Sequence, residues 1–218
     1  MKKSITEIVF ILDKSGSMSG LETDTIGGFN SMLNKQKKAE GEAFVTTVLF
    51  DHGYELLHDH INVRGISPIT DKDYEVGGTT ALLDAIGFTI QKVVNIQKRT
   101  SVEERAGQVL FIITTDGMEN ASREFSLSKI KKMIEHQKEK HGWDFMFLGA
   151  NIDAVSTAAQ FGINEDFAVD YHADNVGTKL NYEMVSEAVI KLRHGKKIDR
   201  SWKERIERDY NQRSRNDY

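Results

Sequence analysis

Three oxygen-bearing side chains stand at alternate positions directly after the first predicted strand. Asp13, Ser15 and Ser17 belong to the run Asp-Lys-Ser-Gly-Ser, and alternate spacing lets an extended loop direct all three toward one point. Carboxylate and hydroxyl oxygens suit a hard cation such as Mg²⁺, Mn²⁺ or Ca²⁺ and disfavour zinc. Because the loop supplies only one negative charge for the metal, a divalent ion needs a second acid. Asp116, at the end of another predicted strand, is the expected supplier.

Short apolar runs alternate with helix-length amphipathic segments along the chain. The runs at 7–12 and 108–114 are rich in β-branched and aromatic residues, as expected for strands buried on both faces of a parallel sheet. The short connection at 51–53 predicts a hairpin and therefore an antiparallel edge strand. The remaining strands are predicted at 43–50, 54–61, 144–148 and 167–171, and the helices at 23–39, 80–98, 126–140, 152–161 and 174–192.

This order of elements predicts an α/β fold. We expect a doubly wound, mostly parallel sheet with one antiparallel edge strand and helices on both faces, because strands joined through helices form right-handed crossovers. In such sheets a ligand binds outside the carboxyl ends of the strands, where the strand order reverses. Asp13 and Asp116 both close buried strands, so we expect them at the same edge of the sheet.

Three motifs on three predicted loops resemble one known kind of metal site. The runs at 13–18 (DKSGSM), 77–79 (GGT) and 114–117 (TTDG) are similar, in parts and in order, to the metal-ion-dependent adhesion site (MIDAS) of von Willebrand factor A (VWA) domains. The resemblance covers roughly residues 5–170. A lone Asp-x-Ser-x-Ser string is common, whereas three correctly placed pieces are specific. The competing interpretation is a loop whose Asp or Ser only caps the next helix.

The resemblance implies unequal roles for the five site residues. Ser15 and Ser17 would coordinate the ion directly, while Asp13 and Asp116 would hold metal-bound waters and orient the hydroxyls. Thr79 would be the fifth member, because the threonine of the family directly follows the glycine pair. Thr80 is the alternative, since this chain has two threonines there. The expected cofactor is one divalent cation, Mg²⁺ first, with Mn²⁺ or Ca²⁺ as alternatives.

The resemblance also implies a function in protein binding. In the family, a Glu or Asp carboxylate of a protein partner completes the coordination of the metal. We therefore expect a metal-dependent binding module, not an enzyme: an intracellular, single-domain VWA protein of the prokaryotic or phage type, with a partner that presents an acidic residue.

A metal-dependent hydrolase or phosphotransferase at the same edge of the sheet is the alternative function. Haloacid dehalogenase-like phosphatases also place an Asp after the first strand, but they need a second Asp two residues later, where this chain has Ser15. The sequence also contains no Gly-Lys-Ser/Thr phosphate loop, no Gly-x-Ser-x-Gly elbow and no His-Glu-x-x-His helix. Catalysis would then depend on the metal alone.

Composition narrows the class of protein further. With 39% hydrophobic and 28% charged residues the chain is globular, and its net charge of −4 favours neither nucleic acid nor a membrane surface. It has no cysteine, which excludes disulfides and thiolate metal sites. The apolar run at 8–12 is shorter than the core of a signal peptide, about 7 to 15 residues. We expect a cytoplasmic protein without a membrane partner.

The end of the chain differs in charge from the rest. Residues 196–218 contain eight basic and five acidic residues and few apolar ones. We therefore predict a VWA domain at 1–195 and a basic tail at 196–218 that is helical or disordered. RNA binding through this tail is a third hypothesis, although its interleaved acids make a nucleic-acid partner the weaker expectation.

Overall fold

The computed structural model of the protein describes residues 5–215, which form one six-stranded sheet flanked by helices. The strands are β1 (Ile5–Asp13), β2 (Glu42–Phe50), β3 (Tyr54–Asn62), β4 (Gln108–Thr115), β5 (Asp144–Gly149) and β6 (Ala168–Asp170). The α-helices are α1 (Glu22–Lys38), α2 (Leu82–Arg99), α3 (Leu127–His141), α4 (Ala154–Gln160), α5 (Asn175–Arg193) and α6 (Glu204–Ser214). Within this part of the chain no helix is both long enough and apolar enough to cross a membrane.

The strand order of the sheet is β3-β2-β1-β4-β5-β6. All neighbouring strands are parallel except β2 and β3, which form an antiparallel pair at one edge. The chain builds outward from β1 in one direction and then from β4 in the other, so the order reverses between these two strands. The predicted doubly wound sheet with one antiparallel edge strand is confirmed, and the ends of β1 and β4 mark the point where the strand order reverses.

Each face of the sheet is covered by its own hydrophobic layer. Side chains of β1 alternate between the layers: Ile8 and Phe10 pack with α1 and α5, whereas Val9 and Ile11 pack with α2 and α3. All four are fully buried. Burial of each such side chain contributes about 1.5 to 3 kcal/mol. The central strands are thereby held rigidly, and rigid strand ends place the loops that follow them.

The segment after residue 195 packs against the rest of the protein. Trp202 and Ile206 are buried, and the Trp202 indole donates a hydrogen bond to the Asp166 carbonyl at 2.9 Å. The Lys203 ammonium donates to the carbonyls of Glu165 and Ala168 at 2.7 and 2.8 Å. These contacts hold α6 beside the short edge strand β6. The domain boundary at residue 195 stays a prediction, and residues 216–218 lie outside the described part of the chain.

Candidate metal centre

The structure brings four of the five predicted site residues together. Strands β1 and β4 run side by side in register, so the loops that follow them leave the sheet at the same edge. Ser17 Oγ donates a hydrogen bond to Asp116 Oδ1 at 2.5 Å, and Ser15 Oγ lies 3.2 Å from Ser17 Oγ. Asp13 joins this group through Ser15, as its carboxylate accepts a bond from the Ser15 amide. We call the edge of the sheet where Asp13, Ser15, Ser17 and Asp116 meet the metal edge.

Asp13 is held by donors on both of its carboxylate oxygens. Oδ1 accepts from the Ser15 amide at 2.7 Å, and Oδ2 accepts from the Thr115 hydroxyl at 2.5 Å. The Asp13 carbonyl accepts from the phenol of Tyr74, which fixes the end of β1. Burial raises the pKa of Asp13, the bonds from Ser15 and Thr115 lower it, and the charge of Asp116 raises it again. Asp13 therefore shapes the loop more than it offers a free oxygen.

Asp116 has one carboxylate oxygen without a partner. Oδ1 is bonded to Ser17, but Oδ2 is buried and makes no hydrogen bond within residues 5–215. Burial raises the pKa of Asp116, which the Ser17 hydroxyl only partly offsets. An unpaired buried carboxylate oxygen is costly unless a donor or a cation lies beside it. Hydroxyl oxygens next to a second carboxylate fit a hard divalent cation.

Of the two candidate threonines, Thr80 is the one that lies beside Ser17. The Thr79 side chain is exposed, whereas Thr80 is only 3% exposed. A methyl group placed on Gly117 would lie 3.1 Å from Ser17 Oγ and 3.3 Å from Thr80 Oγ1, so both hydroxyls face the same spot beside Asp116. Just before the two threonines the chain turns at Gly78, whose φ of +76° is left-handed. Motif spacing alone does not reveal that turn.

A network of hydrogen bonds joins the loop that carries Thr80 to the loop that carries Asp116. The Thr80 amide donates to Asn120 Oδ1 at 2.9 Å, and the Asn120 amide returns a bond to the Thr80 carbonyl at 3.0 Å. Glu119 accepts from the Leu83 amide at the start of α2 at 2.9 Å. Glu119 and Asn120 are thus parts of the scaffold, while Met118 beside them is 74% exposed at the rim.

Asp84, in the first turn of α2, forms further hydrogen bonds to the segment that follows Asp116. Its carboxylate accepts three backbone N–H bonds, from Arg123, Glu124 and Phe125, at 2.8 to 3.0 Å. In return, the Asp84 amide donates to Ser122 Oγ at 3.0 Å. Sequence reasoning missed this role, because an acid in the first turn of a helix is ordinary there.

The loop that follows β1, residues 14–18, which we call the first metal loop, is hydrogen-bonded to the turn at Gly77 and Gly78. The Gly16 amide donates to the Gly78 carbonyl at 3.1 Å, and the Gly77 amide donates to the Lys14 carbonyl at 2.9 Å. A side chain at residue 16 would approach the Gly78 carbonyl to 3.3 Å, which explains the glycine. Lys14 itself points away to an ion pair with Glu55 at 2.6 Å. All three motif loops therefore form one interlocked edge.

The histidines of β3 do not form a second metal site. The alternating positions of His58 and His60 predict a shared, solvent-exposed strand face, but irregular register opposite Thr47 separates them. His58 is buried against Phe29 of α1, with Nδ1 3.0 Å from the Thr47 hydroxyl. His60 instead bonds Glu7. Within residues 5–215 no three His, Cys, Asp or Glu side chains are grouped to hold a metal.

Comparison with known proteins finds similarity in structure only. The sequence matches no protein-family profile and no curated protein sequence. Proximal thread matrix protein 1 of the mussel byssus is 16% identical over 87% of this chain and 46% of its own, with a TM-score of 0.55. A von Willebrand factor type A protein from Catenulispora acidiphila is 13% identical over 86% and 43%, with a TM-score of 0.60.

A third solved structure is covered more completely. The TRAP protein of Plasmodium vivax is 20% identical over 83% of this chain and 73% of its own, with a TM-score of 0.58. By contrast, the chain spans less than half the length of the mussel and Catenulispora proteins. At these identities the likeness concerns the fold. The six-stranded sheet and these matches show that the chain has the Rossmann-like fold of von Willebrand factor type A domains.

Proposed function

We propose that this protein binds one divalent cation at the metal edge and uses it to bind a protein partner through an Asp or Glu of that partner. The observation that carries the proposal is the unpartnered, buried Oδ2 of Asp116 beside the hydroxyls of Ser15, Ser17 and Thr80. Mg²⁺ is the expected ion, with Mn²⁺ or Ca²⁺ as alternatives, because every side-chain donor at this edge is an oxygen.

The residues of this chain would divide the work. Ser15, Ser17 and Thr80 offer neutral oxygens to the ion, while Asp13 and Asp116 supply the balancing negative charge. The ion would supply a strongly electrophilic centre, because neutral hydroxyl ligands offset only a little of its positive charge. A carboxylate from a partner is the ligand that such a centre favours. Thr80 takes the place in this proposal that the sequence resemblance gives to Thr79.

Two of the similar structures support a metal at such an edge. One structure of the mussel protein has a zinc-occupied MIDAS motif, at 16% identity and a TM-score of 0.55. The Plasmodium vivax TRAP structure is manganese-loaded. For this chain we propose Mg²⁺ or Mn²⁺ over zinc, because the side chains proposed to hold the ion, which are those of Asp13, Ser15, Ser17, Thr80 and Asp116, offer oxygen atoms alone.

A binding role is favoured over catalysis by the state of Asp13. An enzyme with a nucleophilic carboxylate after its first strand would need a free oxygen there, but both oxygens of Asp13 accept hydrogen bonds from Ser15 and Thr115. Several cations of the C-terminal segment are likewise engaged. Arg213 pairs with Asp174 and Asp209, Lys203 with Glu207, and Arg205 with Glu183. That pairing weakens the RNA hypothesis. The cytoplasmic location stays a prediction.

Metal binding is tested first, by calorimetric titration of the metal-stripped protein with Mg²⁺ and Mn²⁺. We expect one ion per chain, and loss of binding in Asp116→Asn and in the double variant Ser15→Ala/Ser17→Ala. Ser19→Ala is the matched control, because this serine lies on the same loop and makes only a backbone bond there. Equal binding by wild type and by the double variant would refute the metal site.

Partner binding is tested separately, with the wild-type protein as bait in extracts of its host cell. We expect a retained protein that is released by chelator, returns with Mg²⁺, and is not retained by Ser15→Ala/Ser17→Ala. Substitution of Asp and Glu residues of that protein then identifies the acidic contact. A partner that binds equally in chelator would place the interface away from the metal edge, even if the metal itself binds.

A further inference from the structure

A small internal cavity lies between α1, α5 and the sheet, next to the metal edge. Its volume is about 20 Å³. Met18 from the first metal loop and Thr114 from β4 line one side, while Thr25 of α1 and Thr178 and Asn181 of α5 line the other. A volume of this size accommodates one water molecule.

Three side-chain oxygens at this cavity make no hydrogen bond within residues 5–215. They are Thr25 Oγ1, Thr178 Oγ1 and Asn181 Oδ1. The three residues are only 3% to 4% exposed, so bulk water does not reach these atoms. Buried polar atoms in folded proteins nearly always have a partner, because an unpaired one keeps the cost of leaving water.

The helix backbone does not satisfy these threonines, although it satisfies another buried threonine. Thr89 on α2 donates its hydroxyl to the Ala85 carbonyl one turn earlier, at 2.6 Å. Thr25 and Thr178 also lie on helices but make no such bond. The Thr178 hydroxyl is therefore available to a group in the cavity, and the Thr25 hydroxyl lies between the cavity and the Tyr74 phenol.

We propose that this cavity binds one buried water molecule that joins α1 to α5. The donors and acceptors match its valences: the water accepts bonds from the hydroxyls of Thr25 and Thr178 and donates one to the Asn181 carbonyl. Tyr171 and Tyr182 also line the cavity, and burial keeps both phenols protonated by raising their pKa. The site explains why polar side chains occupy positions that otherwise suit apolar ones.

Substitution of the threonines distinguishes a hydrated cavity from a dry one by the sign of the effect. If the water is present, Thr178→Val removes one of its bonds, and we expect the folding equilibrium constant to fall about fivefold. In a dry cavity the same change would remove an unsatisfied hydroxyl and add a methyl group, so the constant would rise. Urea unfolding of the full chain measures the difference, and a rise would overturn the proposal.

A double-substitution cycle tests whether one water serves both helices. Thr25→Val and Thr178→Val should be strongly non-additive, because the second change acts on a water already weakened by the first. Thr89→Val is the control: it lies on the opposite layer and should combine additively with Thr178→Val. In the wild-type protein, NMR should detect a long-lived water by cross-peaks to the Thr178 and Asn181 groups. Additive threonine effects without these cross-peaks would exclude the bridge.

Discussion

Two buried carboxylates of this protein differ in how their oxygens are satisfied. Glu7 in β1 is fully buried, yet Oε1 accepts from the Thr46 hydroxyl at 2.7 Å and Oε2 lies 2.6 Å from His60 Nδ1. Asp116 at the metal edge is almost as buried, but only Oδ1 has a partner. Glu7 is completed by the chain itself, whereas Asp116 needs something from outside.

This contrast separates a structural acid from a functional one. A carboxylate with both oxygens bonded by the chain needs no direct contact with a ligand, although such a carboxylate, as Asp13 shows, can still lie beside a metal and supply negative charge. A carboxylate with one unpaired oxygen costs stability until a cation arrives, and that cost becomes affinity for the cation. Burial and residue type alone do not distinguish the two, because both acids are buried near the central strands.

The largest expected effect is the loss of the Glu7 carboxylate. Glu7→Gln replaces a charged acceptor by a neutral amide and leaves His60 without its anion, so we expect the free energy of unfolding to fall by about 3 kcal/mol. Asp116→Asn makes the same chemical change at the metal edge. Without metal we expect it to cost less than about 1 kcal/mol, because only one hydrogen bond is affected. Urea unfolding in chelator measures the free energy of unfolding of both variants. Equal losses would show that the two carboxylates do not differ in their contribution to stability.

Metal addition should stabilise the protein through Asp116 and not through Glu7. At a concentration of Mg²⁺ or Mn²⁺ about 100 times the dissociation constant, we expect the wild type to gain about 2.7 kcal/mol of unfolding free energy. Glu7→Gln should keep this gain, whereas Asp116→Asn should lose it. Thermal unfolding with and without chelator reports the shift. A metal-dependent rise in the Tm of Asp116→Asn that equals that of the wild type would show that Asp116 is not part of the site.

The sequence was sufficient to predict the fold, because that prediction depends on periodicity. Runs such as 108–114 are short, apolar and rich in β-branched residues, which favours buried strands, and alternation with helices leaves few topologies. The sequence also predicted that Asp13, Ser15, Ser17 and Asp116 lie at one edge of the sheet, because neighbouring parallel strands have their carboxyl ends at the same edge. Those predictions required only the direction of strands.

What the sequence could not predict depends on single backbone angles and long-range bonds. The left-handed turn at Gly78 precedes the two threonines, of which Thr80 lies beside Ser17, yet glycine only permits such a turn. Asp84 bonds three amides some 40 positions away, and nothing in its local sequence signals this. The irregular register near Thr47 likewise separates two histidines that simple alternation places together.

The choice between Thr80 and Thr79 predicts a smaller effect at the metal edge. We expect Thr80→Val to weaken Mn²⁺ binding about tenfold or more, because it removes a buried hydroxyl beside Ser17 and keeps the side-chain shape. Thr79→Val is the matched control and should change the affinity by less than about twofold, because in this proposal Thr80 supplies the hydroxyl beside Ser17. Calorimetric titration compares the two, and the reverse order would restore Thr79 as the site residue.

The smallest expected effect is a dependence of stability on pH at the Glu7 cluster. The hydrogen bond that His60 donates to the Glu7 carboxylate raises the pKa of His60, while burial lowers the pKa of His58 on the other face. The stabilisation by His60 is thus complete below its unfolded pKa of about 6.5 and is lost as the pH rises through the higher folded value. We expect the deficit of His60→Gln, about 1 kcal/mol at low pH, to shrink as the pH rises above about 6.5 and through the higher folded pKa of His60.

His58 provides the internal control for that pH dependence, since its pKa moves in the opposite direction. The folded protein holds His58 neutral, so its contribution is complete above about pH 6.5 and is lost as the pH falls through the lower folded value. Urea unfolding of His60→Gln and His58→Gln across this range should therefore give pH slopes of opposite sign, each relative to wild type. Slopes of the same sign would mean that His60 is not stabilised by the Glu7 anion, and that the second oxygen of Glu7 is satisfied by a neutral imidazole.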